Sequence, residues 1–214
     1  MKWLLGTVCA LAVAAGAASA AGPPDLLKSQ TRFSALKPGV TYQASLFAPP
    51  VQVTAPDFNW RGAQYVSHGY YWVILAQRPP ARGGIVLISA PQSRQSAATT
   101  LHRLETERAD IPAVGISVEP AVAVAIGGFG GEQFDGIVTG QYGHTFVPFS
   151  SLSSAASSSA GDHIRLPKGT AFRIIVLDVR GKVVVFEIDS DSGLNDAFVA
   201  RVTKVLALLR FPKT

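Results

Sequence analysis

Two unbroken apolar runs stand near the carboxyl end of the chain. Ile174–Leu177 and Val183–Phe186 hold no polar residue and are joined through Arg180-Gly181-Lys182. Alternation would mark strands with one wet face, whereas runs without it predict strands covered on both faces. Gly181 can adopt the positive φ that a tight hairpin turn demands. The pattern then changes period. Leu194, Phe198, Val202, Val205, Leu206 and Leu209 fall at i, i+4, i+8, i+11, i+12 and i+15, one apolar stripe of a helix. Ser192 or Asn195 is placed to cap it, Asp196 sits at the positive end of its dipole, and Arg201, Lys204 and Arg210 lie toward the negative end. This helix is expected on one face of the sheet, over the hairpin.

Upstream the signals are shorter. Tyr42–Phe47 alternates weakly, and Val51-Gln52-Val53-Thr54 alternates cleanly before Ala55-Pro56-Asp57-Phe58-Asn59, a turn sequence. Tyr70–Ala76 and Ile85–Ser89 are aromatic and β-branched, and the Pro- and Gly-rich stretch between them predicts a hairpin. Ser96–Ala109 reads as a helix capped by Ser96, with Ala97, Leu101, Leu104 and Arg108 on one face and Ile111-Pro112 as its stop. Gly115–Ile126 predicts one or two strands broken at Pro120, Gly127–Gly131 a turn, Glu132–Thr139 a returning strand, and Tyr142–Phe149 a further extended piece. The fold class that follows is α+β: a mainly antiparallel sheet flanked by an internal helix and a C-terminal helix. An all-β sandwich with a peripheral C-terminal helix is the alternative, should the Ser96 segment not be helical.

The amino end adds a compartment to this picture. Lys2 precedes an uncharged, Ala-rich run from Trp3 to Ala17, and Ala18-Ser19-Ala20 offers small residues before Ala21. Residues 1–20 therefore read as a secretory signal peptide cleaved after Ala20. The run is too short and too weakly apolar to favour a membrane anchor, so no stable span is expected after cleavage. Cys9, the sole cysteine, would leave with the leader, and Val8 before it is too bulky for a lipid-attachment site. A chain without cysteine has no disulfide, thiolate metal site or cysteine nucleophile. Residues 21–40 show no period and are expected to form an extended, mobile lead-in to a single domain over 41–214. The Ser- and Ala-rich tract 150–160 has little to bury and is expected to form a flexible loop.

The formal charge of +5 is scattered, without the cationic cluster that nucleic acid binding calls for. His68, His102, His144 and His163 are far apart and make no zinc spacing. G-x-S-x-G is absent, and Gly127–Gly131 has neither a P-loop nor a dinucleotide-binding pattern. Asp189-Ser190-Asp191-Ser192-Gly193 approaches a calcium loop but lacks a third ligand and the closing glutamate. No catalytic residue, metal ligand or cofactor is assigned. One constellation points to binding: Trp60, Tyr65 and Tyr70, with His68 among them and Tyr71 and Trp72 following. Exposed aromatic faces take sugars and flat ligands. Trp60, Tyr65, His68 and Tyr70 are therefore the candidate ligand-binding residues. The competing reading places Trp72 and a tyrosine in the core.

Several of these elements together resemble a group of secreted bacterial proteins of unknown function, typical of actinobacteria. The resemblance runs from about residue 42 to the end. It is carried by Tyr42–Phe47 with Pro49, Val51-Gln52-Val53 leading to Trp60, Ile85–Ser89, Leu101-His102-Arg103-Leu104, Ile126-Gly127-Gly128 with Gly131, Ile174–Gly181 and Phe198–Phe211. More distantly, a hairpin followed by a terminal helix ending in an aromatic is similar to the PsbP-like fold. That resemblance implies an antiparallel sheet flanked by helices and a non-enzymatic accessory or binding role. The expected function is a secreted, non-catalytic binding or accessory protein of the bacterial cell envelope. Its partner would be an envelope component or another secreted protein. A small exported hydrolase without a recognisable motif is the alternative.

Overall fold

The computed structural model describes residues 22–67, 69–78, 83–90, 92–106, 115–141, 143–146, 149, 164–191 and 193–213. The expected leader, the Ser/Ala-rich tract and His68 lie outside the described residues. The strands are β1 (Leu27–Lys28), β2 (Ser34–Ala35), β3 (Thr41–Ala44), β4 (Val51–Thr54), β5 (Trp60–Ser67), β6 (Tyr70–Gln77), β7 (Gly83–Ser89), β8 (Ile116–Val118), β9 (Val122–Ile126), β10 (Phe129–Val138), β11 (His144–Phe146), β12 (Ile164–Leu166), β13 (Ala171–Val179) and β14 (Lys182–Ser190). Helix α1 (Ala97–Thr106) falls between β7 and β8, and α2 (Asp196–Leu208) follows β14. The fold is α+β but dominated by strands. One large sheet runs in the order β1-β5-β6-β7-β14-β13-β10-β8, with β2 added on β5 and β9 on β10. All its pairings are antiparallel except β1 with β5. Hairpins β3–β4 and β11–β12 stand apart from it.

The greasy hairpin occupies the middle of that sheet, and both of its flanks are covered. Ile175, Leu177 and Val179 of β13 and Val184, Phe186 and Ile188 of β14 meet Phe198, Val202 and Val205 of α2 together with Val51 and Val53 of β4. Phe172, Ile174, Val176, Val183 and Val185 face the other way, toward Leu101 and Leu104 of α1. The two helices therefore close opposite faces. Arg180 and Gly181, at φ 56° and 75°, make the two-residue turn. Arg180 also donates to the carbonyls of Phe211 (2.7 Å) and Pro212 (2.9 Å) and lies over the Phe129 ring, tying the carboxyl end to the sheet.

Both helices start where their caps are. Ser96 Oγ accepts from the Thr99 N–H at 3.1 Å, and the Asn195 side chain accepts from the Phe198 N–H at 3.0 Å. At the far end of α2, the Arg210 guanidinium donates to the carbonyls of Ala207 and Leu209, so a cation completes the groups the last turn leaves open.

The segment read as an extended lead-in is tied to the sheet over its described residues. Leu26 and Leu36 are core residues, and β1 and β2 pair with β5. The reason is Gln64, fully buried on β5. Its Nε2 donates to Asp25 Oδ1 (2.6 Å) and to the Leu26 carbonyl (3.0 Å), and its Oε1 accepts from the Leu46 N–H (2.8 Å). Burial pushes the Asp25 carboxyl up. Hydrogen bonds from Ser45, Lys28 and Gln64 outweigh it and bring the group down to about 2. The stability this brings is present above the ordinary value of 3.8 and is lost as pH falls toward 2. Gln64→Leu takes their side-chain partner from the Leu46 N–H and the Leu26 carbonyl and removes one of several hydrogen bonds from the Asp25 carboxylate. It is expected to lower stability by about 2 kcal/mol and to open residues 24–36 to hydrogen exchange ahead of the rest of the sheet. Unaltered exchange there would refute the latch.

A second buried polar group is less well served. Glu187 of β14 is 2% exposed, and its Oε1 has no hydrogen-bond partner among the described residues. Burial, and then the nearby Asp189, push its carboxyl well above the ordinary value of 4.5. Burial also raises Asp189, with Asp191 adding to it. Across the window from 4.5 up to Glu187's own value, the native state keeps a proton that the unfolded chain releases, so stability falls as pH rises. Glu187→Gln should flatten that slope in urea titrations run at successive pH values. An identical slope in the variant would exclude Glu187 as its source.

Candidate functional site

Of the four candidate binding residues, His68 lies outside the described residues, and Trp60, Tyr65 and Tyr70 do not share one exposed face. Trp60 is 1% exposed and packs with Leu36, Val53, Leu75 and Val205 on the α2 side of the sheet. Tyr65 stands directly opposite Trp72, on the α1 side, with ring centroids 5.6 Å apart and planes 6° from parallel. Tyr70 is 4% exposed and stacks obliquely on Phe149. The physical reason is period: Trp60 and Tyr65 are five residues apart on one strand, so they point to opposite faces, and both faces are covered. Of the three described, Tyr65 is the one left partly exposed, and it stacks on Trp72. The fully open ring of this region is Phe58, 68% exposed in the turn before β5.

A hydrolase site would need histidines such as His68, His144 and His163 to meet carboxylates such as Asp135 and Asp162. His68, Asp162 and His163 lie outside the described residues. Asp135 is already engaged, accepting from Arg173 Nε at 2.6 Å and Nη2 at 2.7 Å. Among the described residues no three His, Cys, Asp or Glu side chains gather as a metal site.

A different site is built on the α2 side, where the helix stops short of the sheet's edge. Strands β13, β10 and β9 form a floor that α2 walls on one side, leaving an open groove of about 680 Å³. That volume lies within the range of small-molecule sites. Val124 and Ile126 of β9 and Leu206 and Ala207 of α2 give it an apolar lining. Gln133, Arg173, Thr203 and Arg210 are its polar members. Sheet geometry sets this division: Gln133, Asp135 and Ile137 share one face of β10, and the register places Asp135 opposite Arg173. The two-pronged ion pair holds the Arg173 guanidinium flat against the floor. The hydrogen bond to Asp135 pushes Arg173's affinity for its proton above the ordinary value against the opposing effect of burial, and Glu119 adds to it. Arg210 stands at the opposite wall, at the end of α2. The groove thus offers two fixed cations against one carboxylate and an apolar floor. It can seat an anionic group beside an alkyl or aromatic body.

Neither arginine was singled out by sequence reasoning. The available signal was a lone cation, Arg173, just before the apolar run Ile174–Leu177, together with polar Gln133 and Asp135 at alternate positions of another strand. Compared with known proteins, the chain matches no family model and no curated protein. The roles of these residues therefore rest on geometry. No described helix is long and apolar enough to cross a membrane.

Proposed function

We propose that the chain is exported after removal of residues 1–20 and serves as a non-catalytic binding or accessory module of the bacterial cell envelope. Its ligand is an elongated amphipath with an anionic head. The observation that carries this reading is the groove beside α2, with its apolar lining and the guanidinium groups of Arg173 and Arg210. Its polar side chains are suited to holding a ligand: a guanidinium, an amide and a hydroxyl bind, and the carboxylate on the floor is bound to Arg173. Export is supported by the leader pattern and by a cysteine-free chain beyond it.

Calorimetric titration with dodecyl phosphate and with dodecyl maltoside, both below their micelle concentrations, tests the ligand class. The anionic amphipath is expected to bind one per chain and the neutral one weakly. Arg210→Gln should weaken the anionic ligand about tenfold, the worth of one charge-assisted hydrogen bond. Ala207→Trp, which puts a large ring into the groove and keeps both arginines, should abolish binding. Equal affinity for the two head groups, or full binding by Ala207→Trp, would defeat the proposal. Mass spectrometry of the cultured protein should find Ala21 as the first residue.

A further inference from the structure

The sheet ends differently along its last edge than anywhere else. Beside β10 lie β8 and then β9, end to end. An uncovered edge strand invites pairing, and proteins usually blunt it with charge, proline or shortness. Strands β1 and β2 are two residues long, and β8 is three residues long and followed by Glu119 and Pro120. Strand β9 has none of these within its length. From Pro120 to Gly131 the chain carries no charge. Val122 is 54% exposed, and Ala123 and Ala125 are exposed. Residues 122–126 pair with β10 and with no other strand among the described residues.

The turn dictates which groups are left over. Gly127 and Gly128, both at positive φ, form a two-residue turn that sets Ile126 opposite Phe129 as a bonded pair. Alternation then bonds Val124 and Val122 to β10 as well, and turns the N–H and C=O groups of Ala123 and Ala125 outward. We infer that these four groups pair with the same four groups of a second copy of this chain, joining two sheets across a two-fold axis at Val124.

That register is self-complementary in every position. Ala123 bonds the partner's Ala125, and Ala125 bonds the partner's Ala123. On the α2 side, Val124 faces the partner's Val124, and Val122 faces the partner's Ile126. Each cross-strand pair on that face is aliphatic, the combination that favours strand association. No like charges meet, because the segment has none. Val124 and Ile126 also line the groove, so the axis brings two grooves side by side. The pairing requires no ligand, and it stands whether or not the groove takes an amphipath. A junction of one strand pair belongs with interfaces below roughly 1,200 Å², which associate weakly. The dimer is therefore sought at about 100 μM, where such contacts are populated.

Sedimentation equilibrium of the chain that begins at Ala21 should give a mass that rises from one chain toward two as the concentration approaches that value. Ala123→Pro removes one outward N–H and no bond to β10. It should return the mass to that of one chain with an unchanged circular dichroism spectrum. In the chain that begins at Ala21, which has no other cysteine, Val124→Cys should oxidise to a disulfide-linked dimer, since non-bonded antiparallel pairs stand about 4.5 Å apart at Cα, within disulfide range. Val122→Cys in the same background should not, because the axis puts it about 13 Å from its own copy. A wild-type chain that stays single at this concentration, or Val122→Cys linking as fast as Val124→Cys, would overturn the inference. Should Ala123→Pro fail to fold, the two cysteine variants decide alone.

Discussion

Truncating Phe198 to alanine is expected to remove about 3–5 kcal/mol of folding stability, a large share of the roughly 5–15 kcal/mol a domain holds. Phe198 is fully buried at the start of α2, and Gly83 leaves the room its ring fills: a Cβ there would stand 3.0 Å from Phe198 Cε2. The ring joins the helix to Phe186 and Ile188 of the central strand. Backbone on both sides prevents the site from collapsing, so the loss comprises both the transfer of the ring and the cavity it leaves. The thermal midpoint should fall by about 10 °C or more. Leu208→Ala, on the outer side of the same helix, should move it little. Equal shifts in the two variants would refute the packing of α2 on the sheet.

The second large effect comes from adding a single methyl group. A Cβ on Gly131 would run into the Val176 carbonyl oxygen and stand 2.6 Å from Leu177 Cδ2. Gly131 is not at positive φ, so the constraint is close approach of β10 to β13 and not backbone conformation. Gly131→Ala is therefore expected to cost about 3 kcal/mol, the upper range for overpacking against structure that cannot yield. Its neighbour supplies the control. A Cβ on Gly130 meets nothing within 4 Å. Gly130→Ala should be neutral, or stabilising by about 0.5 kcal/mol through the unfolded chain. Urea midpoints for the two alanines should differ in that order. Two equal midpoints would show that the strands can part at no cost.

Much of the framework was legible because it depends on local pattern. The apolar runs at 174–177 and 183–186 announced two covered flanks, the stripe from Leu194 to Leu209 announced α2, and its cap was narrowed to Ser192 or Asn195, of which Asn195 serves. What escaped depends on which distant segment supplies the cover. Trp60 looked like a surface ring because it follows a polar turn, yet β2, β4 and α2 meet over it. Residues 24–36 have no period because they are held by one buried amide, Gln64, rather than by a stripe. The groove was illegible for the same reason. Its residues come from four elements, and Arg173 and Arg210 are each unremarkable where they stand in the chain.

The seam between β7 and β14 has a consequence for how the molecule comes into being. It bonds Gly83–Ser89 to Lys182–Ser190 at the centre of the sheet. Such a closure spans about a hundred positions and is slow, because the loop entropy must be surrendered before the contact returns anything. During synthesis nothing made early can finish its core until the last fifth of the polypeptide has emerged. The central seam therefore stays open until nearly the whole chain is available to close it.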